Sequence, residues 1–374
     1  MRRKNLKNLK KPGRINFTRR FGHERGRKLK KTSRACALLL AAALPLSLTA
    51  CGGSSSENGE VYVYNWGEYI DTDLISQFEK ETGIKVIYNT FETNEGLYTK
   101  LQTESYDVII PSDYMIGRMI DEDMLQPLDY SKIPNMELID EAYTHLEFDP
   151  EQAYSVPYTW GVVGVIYNAD KVDAADIGSW DLLWNEKYAG ETAMFDNSRD
   201  ALGVALKYLG YSQNTTDEGE LREAAQLIMD KKDLFQGFFM DQVLEKLPNE
   251  ELVAAPYYNG DAVTMMEENE SLSFYVPAEG TNLFVDAMCI PANAKNVDNA
   301  HAFINFMASA EAALANAEYI GYSSPNNGAL ELMDEETRND PISYPSTENT
   351  ETFLNLPVAT NELYTDLWTE ILKN

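Results

Sequence analysis

Val61-Tyr62-Val63-Tyr64, followed by Asp71-Thr72-Asp73-Leu74-Ile75 and then by Ile84-Lys85-Val86-Ile87-Tyr88, is the stretch that decides how this chain folds. The two short apolar runs read as strands. Between them Leu74, Ile75 and Phe78 fall on one face of a helix that opens at Asp71 to Asp73 and stops at Gly83. Strand, helix, strand is the building unit of an α/β protein. The same alternation runs onward through a helix over 94–102, a strand over 108–110 ended by Pro111, a helix carrying Ile116, Met119 and Ile120, and a strand over 161–167. A second series begins after Trp180, with strands over 192–195, 252–258, 272–276 and 284–290. Its helices fall over 201–209, 221–229, 300–317 and 361–372, and no pattern places 233–250. Two α/β lobes are predicted, with no internal repeat.

The chain has 374 residues, 44% of them hydrophobic, enough for substantial cores and for two or three domains by size. Its charge is divided unevenly. Residues 1–34 hold 15 of the 31 Lys and Arg with a single acid, Glu24, and 35–50 carry none. From residue 51 onward 16 basic side chains face 59 acidic ones, which excludes a general nucleic-acid binder and disfavours charge-driven docking on anionic lipid. A soluble, self-repelling surface accounts for most of this excess. The basic leader and the uncharged Leu- and Ala-rich run behind it read as a secretory signal peptide over 1–50, too short for a comfortable membrane span. The run closes on Leu48-Thr49-Ala50-Cys51, which resembles a bacterial lipobox. Cys51 is therefore expected to be lipidated, with 51–60 as a flexible tether. Cys36 leaves with the signal, so no intramolecular disulfide remains open to Cys289, which reads as a buried structural thiol.

Motifs for hydrolases, zincins, P-loops, dinucleotide folds and paired C-x-x-C metal sites are missing, and His145 and His301 suggest no site by spacing. What is present is aromatic residues beside acids at the ends of predicted strands. The groups are Trp66-Gly67-Glu68-Tyr69, Ser112-Asp113-Tyr114, Asp196-Asn197-Ser198-Arg199-Asp200, Tyr257-Tyr258-Asn259-Gly260-Asp261, Phe284-Val285-Asp286 and Ile320-Gly321-Tyr322. Ligands of open α/β sheets bind beyond the carboxyl ends of the strands. Singly, each residue has a plain structural role: Trp66 and Tyr69 as core plugs, Asp200 as a helix cap, Tyr257 as packing. Together, rings with carboxylates at their ends suit an alkyl diamine. Its ammonium heads need charge-assisted acceptors and its methylenes need apolar walls, and each desolvated cation–ring contact contributes about 2 kcal/mol.

The run 61–69 with Thr82-Gly83-Ile84-Lys85-Val86 resembles the opening of the bacterial spermidine/putrescine-binding proteins of ABC transporters. So do Asp107-Val108-Ile109-Ile110-Pro111-Ser112, Val156-Pro157-Tyr158-Thr159-Trp160-Gly161, Trp180-Asp181-Leu182-Leu183-Trp184, Ile290-Pro291-Ala292-Asn293 and Ile320-Gly321-Tyr322-Ser323. The resemblance implies a two-lobed periplasmic-binding-protein-like fold (type II), with crossover hinge strands and the ligand in the interlobe cleft. It implies lobe 1 over 61–162 plus 285–328 and lobe 2 over 163–284 plus 329–374. By the same resemblance Trp66 and Tyr69 are cleft walls and Glu68 an amine acceptor. Ser112, Tyr114 and Tyr322 are ligand contacts, Asp200 is a carboxylate from the second lobe, and Asp286 is the principal ammonium anchor. Tyr258 and Phe284 stand where relatives often have Trp, and Asn197 where spermidine-preferring ones often have Asp, so amine length stays open. Arg199 would repel a cation if it faced the cleft, and is expected to point away or to orient an acid.

The expected protein is a non-enzymatic, monomeric lipoprotein on the extracellular face of the cytoplasmic membrane or in the periplasm. It would deliver polyamine to ABC permease subunits, with no cofactor and no metal. The alternative is a receptor for ferric iron or another cation on the same fold, with Tyr257 and Tyr258 as ligands. A surface hydrolase with two carboxylates stands below that.

Overall fold

Alternation along the first strand, β1 (Glu60–Trp66), sends Val61 and Val63 to one side of a sheet and Tyr62 and Tyr64 to the other, so both faces must be covered. The computed structural model describes residues 58–373; the signal segment 1–50 and Cys51 lie outside the described residues. After β1 come α1 (Thr72–Thr82), β2 (Lys85–Phe91), α2 (Asn94–Leu101), β3 (Val108–Ile109) and α3 (Asp113–Asp121). Short 3-10 turns lead to β4 (Ser155–Asn168), β5 (Thr192–Phe195), α4 (Ser198–Leu209), α5 (Glu218–Lys231), β6 (Phe235–Phe239) and α6 (Val243–Lys246). Then follow β7 (Ala254–Tyr258), α7 (Asn259–Glu268), β8 (Leu272–Tyr275) and β9 (Thr281–Cys289). The remaining elements are α8 (Val297–Met307), α9 (Ala310–Ile320), α10 (Asn327–Leu332), α11 (Glu335–Arg338), β10 (Thr350–Glu351) and α12 (Val358–Lys373).

The strands run in the order β2-β1-β3-β9-β4-β7-β5-β6, with β10 beside β9 and β8 beside β4. β1, β2 and β3 are parallel, as are β7, β5 and β6, and β4 and β9 lie antiparallel between these two sets. All 14 residues of β4 are buried. Its residues 155–162 pair with β9, and 163–168 pair with β7 and β8. β4 and β9 thus carry the chain between the halves of a two-lobed α/β fold. One core gathers around Phe78 and Phe303, whose rings meet edge to face at 5.3 Å, and the other includes Trp160, Trp180, Phe195 and Tyr257. Cys289 is buried at the end of β9, opposite Ile109 and Ser155, and burial pushes its thiol up.

The predicted elements are present with two differences, and others, α7 among them, stand where no element was predicted. The strand expected over 161–167 begins at Ser155, because Pro157 sits at an irregularity in the β4–β9 register that spares it a ladder hydrogen bond. The helix expected over 300–317 is two helices, since Ser309 leaves the helical path and caps α9 by accepting from Ala312 N–H. The unplaced 233–250 holds β6 and α6. Phe303→Ala should lower stability by about 3–5 kcal/mol in urea unfolding, since its fully buried ring is replaced by a void; a loss below about 1 kcal/mol would contradict the packing described.

Candidate functional site

Beyond Trp66 the chain turns through Gly67 and Glu68, and Glu68 has φ 55°, left-handed backbone that costs a non-glycine residue about 1–2 kcal/mol. The turn is held from its flanks. Buried Asn65 accepts from Trp66 N–H at 2.8 Å and donates to Tyr69 O at 3.4 Å; Tyr158 Oη donates to the same carbonyl at 2.7 Å. Asn316 Nδ2 in turn donates to Tyr158 Oη at 2.9 Å. The turn therefore aims Tyr69 at β9. Its hydroxyl donates to Asp286 Oδ2 at 2.7 Å and lies 2.7 Å from Thr159 Oγ1, across the ladder from Asp286. Ser112 bridges Asp286 from the other side, so Asp286 is fixed by backbone on both flanks.

From Tyr69 a row of rings crosses the sheet. Tyr69 meets Tyr322 at 5.5 Å, Tyr322 meets Phe284 at 5.9 Å, and Phe284 meets Tyr258 at 5.5 Å, all edge to face. Phe284 lies two residues from Asp286 on β9 and so shares its face. The rings approach the backbone closely at two glycines. A Cβ at Gly161 would stand 2.4 Å from Phe284 Cζ, and one at Gly260 would stand 2.6 Å from Tyr322 Cγ. Each phenol of the row leads to an acid: Tyr69 Oη to Asp286 as above, while Tyr258 Oη donates to Asp200 Oδ2 at 3.3 Å and Tyr322 Oη donates to Asp261 Oδ2 at 2.7 Å.

These acids differ from the other buried ones. Asp107 and Asp149 are each 2% exposed, and each accepts four hydrogen bonds from neighbouring N–H and hydroxyl groups. Asp286 is as deeply placed, at 5%, yet its Oδ1 makes no hydrogen bond. Burial pushes the carboxyls of Asp200, Asp261 and Asp286 each up to about 6; for Asp286 the Ser112 and Tyr69 hydroxyls pull the other way and are outweighed. Among the described residues no Lys or Arg forms an ion pair with any of the three. Burial also holds the phenols of Tyr69, Tyr258 and Tyr322 well above their ordinary value, so they remain neutral donors. Anionic oxygen short of partners, walled by ring faces, is an arrangement that a cation completes.

The structure brings Tyr69, Ser112, Tyr258, Phe284, Asp286, Tyr322 and Asp200 into this one network. It sets others apart. Glu68 is exposed on its turn. Trp66 is partly buried with its ring 4.5 Å from Phe91 and its indole N–H without an acceptor. Tyr114 Oη donates to Glu95 at 3.0 Å, and Asn197 caps α4 by accepting from Arg199 and Asp200 N–H. The Arg199 guanidinium is turned to Asn214 Oδ1 at 2.8 Å and Leu354 O at 3.3 Å, and lies over the rings of Phe353 and Tyr364. Asp261, Asp113 and Thr159 are members that the sequence reading did not select. Asp261 stood three residues beyond Tyr258, a one-turn spacing at the start of α7 that could have drawn attention to it. The iron reading loses its geometry. The rings of Tyr257 and Tyr258 are spent on packing, meeting each other edge to face at 5.4 Å and both lying against Phe195. Tyr258 is committed to Asp200, burial pushes both phenols away from ionisation, and no group of three or more His, Cys, Asp and Glu among the described residues could hold a metal.

A two-lobed sheet with two crossover strands and a charged, ring-lined site between them defines a solute-binding protein of the periplasmic type. The chain belongs to the bacterial extracellular solute-binding protein family, whose pattern matches residues 73–345. It is 38% identical over 323 residues to the spermidine/putrescine-binding periplasmic protein of Escherichia coli K12, covering 86% of this chain and 92% of that one. It is 34% identical over 355 residues to a putrescine-binding periplasmic protein of Pseudomonas aeruginosa, covering 87% and 96%. Among solved structures, a spermidine/putrescine ABC transporter substrate-binding protein from Streptococcus pneumoniae superposes with TM-score 0.78 at 41% identity, over 84% of this chain and 98% of that one.

A carboxyl whose folded value is raised to about 6, above its ordinary 3.8, contributes stability fully below about pH 4 and loses it as pH rises through 6. Asp286→Asn should therefore stabilise the ligand-free protein at about pH 7.5, by roughly 3 kcal/mol at most, with the gain fading below about pH 4. Urea midpoints of the two proteins across this range check it; a destabilised variant at neutral pH would show that the carboxylate is satisfied by the protein itself.

Proposed function

We propose that the protein is the substrate-binding subunit of a polyamine ABC importer, capturing spermidine or putrescine between its two lobes and presenting the closed form to a permease. Asp286, a buried carboxylate with one oxygen unbonded and no ion-pair partner, carries this reading. An ammonium group supplies the missing charge and donors, and the rings of Tyr69, Tyr322, Phe284 and Tyr258 line a path for the methylene chain toward Asp200 and Asp261. Ser112 holds the Asp286 backbone, while Trp66, Glu68, Tyr114 and Asn197 serve at the rim. The lobes are 61–162 with 285–328 and 163–284 with 329–374, so the hinge lies where β4 and β9 change partners. Closure of such lobes around a ligand is a hinge motion. The protein performs no chemistry on its ligand and works as a monomer, delivered outward by segment 1–50 and anchored through a lipid on Cys51. No helix among the described residues is long and apolar enough to cross a membrane, which fits an anchor of that kind.

Calorimetric titration of residues 52–374 with spermidine and putrescine tests the reading. Saturable binding is expected, and Asp286→Asn should weaken it by roughly 100-fold or more, about 3–5 kcal/mol for a buried charge left alone. Absence of polyamine heat, or binding retained by the variant, would overturn it. Because the three acids must be ionised to hold a cation, affinity should also fall as pH drops from about 7.5 to about 5, opposite to the trend of the ligand-free stability. The mass of the membrane-extracted N-terminal peptide reports whether Cys51 is acylated.

A further inference from the structure

In a strand–helix unit the carboxyl end of the strand and the first turn of the next helix share one edge of the sheet, and the last turn of that helix lies at the other edge. Tyr69, Ser112 and Asp200 all stand just beyond strand carboxyl ends, and Tyr258 is itself the last residue of β7. Charge is sorted between the two edges. The last turns of α1 to α5 carry Lys80, Lys100, Arg118, Lys207 and Lys231, whereas the first turns of α1 to α4 carry Asp73, Glu95, Asp113 and Asp200. Loops add further acid on the site's edge. Glu92 follows β2, Asp196 follows β5, and Asp241 lies just beyond β6, all three exposed. Asp196 N–H donates to Phe239 O at 3.1 Å, which sets the ends of β5 and β6 side by side. Among the described residues none of these three acids forms an ion pair. Arg199 is the cation in those first turns, and it is tied to Asn214 Oδ1 and Leu354 O.

We propose that Glu92, Asp196 and Asp241 form a steering collar, which gathers a polycation at the mouth of the cleft and sets how fast it arrives, while the buried acids behind set how long it stays. This rests on the polyamine reading above. A helix start carries about half a positive charge from its backbone dipole, a field that repels a cation. One acid in the first turn more than cancels it, so dipole compensation asks for no further acid in the loops. That a cation is the object of the field is indicated independently by Asp286, 5% exposed with Oδ1 unbonded. The collar acts without contact. A charge in water reaches about 8 Å at physiological salt and about 30 Å at 10 mM. Exposed carboxylates keep their hydration, so they contribute little to a bound complex and much to the encounter. The attraction scales with ligand charge, so a triamine is accelerated more than a diamine.

The test follows tryptophan fluorescence of residues 52–374 mixed with spermidine by stopped flow. The triple variant Glu92→Gln, Asp196→Asn, Asp241→Asn should associate about tenfold more slowly at about 10 mM salt, with dissociation changed by less than about twofold. The difference should vanish at about 1 M salt, where a charge reaches only about 3 Å. A control triple removes the same charge from exposed positions at the opposite edge: Glu81→Gln in the last turn of α1, Glu186→Gln ahead of β5, and Asp230→Asn in the last turn of α5. Its association should stay within about twofold of the wild type. Equal slowing by both triples would show that only net charge acts, and a change confined to dissociation would make the three acids ligand contacts; either result overturns the collar. Near-ultraviolet circular dichroism checks folding, and Asp241→Asn alone, with association slowed about twofold, stands in if the triple is misfolded. If the wild type takes up no spermidine, the polyamine reading fails on its own, and the field is read directly. Gly67, just after β1, and Gly190, ahead of β5, are both exposed. Amide broadening by a cationic nitroxide relative to an anionic one should be greater at Gly67 than at Gly190, and at Gly67 it should fall in the rim triple but not in the control. Equal ratios at the two glycines would sink the collar.

Discussion

The antiparallel pairing of β4 with β9 is the constraint on which the rest of the molecule hangs. A strand with 14 consecutive buried residues must find partners for its backbone groups within the protein. β4 does so by changing neighbours part-way, from β9 alone to β7 and β8. The point of change places Thr159, Trp160 and Gly161 opposite Asp286, Val285 and Phe284, so Asp286 and the ring of Phe284 are register positions of the same ladder that joins the two halves. Fold and site are specified by one set of hydrogen bonds.

What makes that location chemical is incompletion. The protein satisfies Asp107 and Asp149 with four hydrogen bonds each, yet leaves Asp286 and Asp113 each with an unbonded oxygen at comparable depth. Unpaired buried charge is destabilising, and a site that keeps it holds free energy in reserve for whatever restores the balance. Rings rather than bases lie against Asp286, Asp200 and Asp261, an arrangement suited to a cation that can also bury hydrocarbon. Neutral phenols, kept protonated by the same burial, hold the carboxylates in place.

Most of the architecture was legible because period and punctuation survive in the chain. The β1–α1–β2 unit is marked by alternation, by Asp71 accepting from Asp73 N–H and by Gly83 closing the helix. Where the reading fell short, one local sign outvoted the tertiary context. The sequence places this strand over 161–167, whereas β4 begins at Ser155 and carries Pro157 beside an irregularity of the register that makes a proline tolerable there. Helical period continues unbroken through Ala308 and Ser309, so the break between α8 and α9 was hidden. In the site, Asp286 and Asp200 were visible as acids beside rings. Asp113 and Asp261 stood in the same clusters, but whether an acid is buried, orphaned or capped is decided by elements far away in sequence. Asn197, which resemblance places at the ligand, also caps α4 through its Oδ1, a role decided by the helix start and not visible in the motif.

Cys289 ends β9 in the middle of the sheet, its thiol buried and held in the unreactive protonated form. For a receptor closing on a hinge as proposed, this has an instrumental value. A single cysteine introduced on either rim can be coupled to a fluorophore while the native thiol stays dark to maleimides. The wild-type body is thereby ready to be made into an optical reporter of its own closure, without prior removal of the native cysteine.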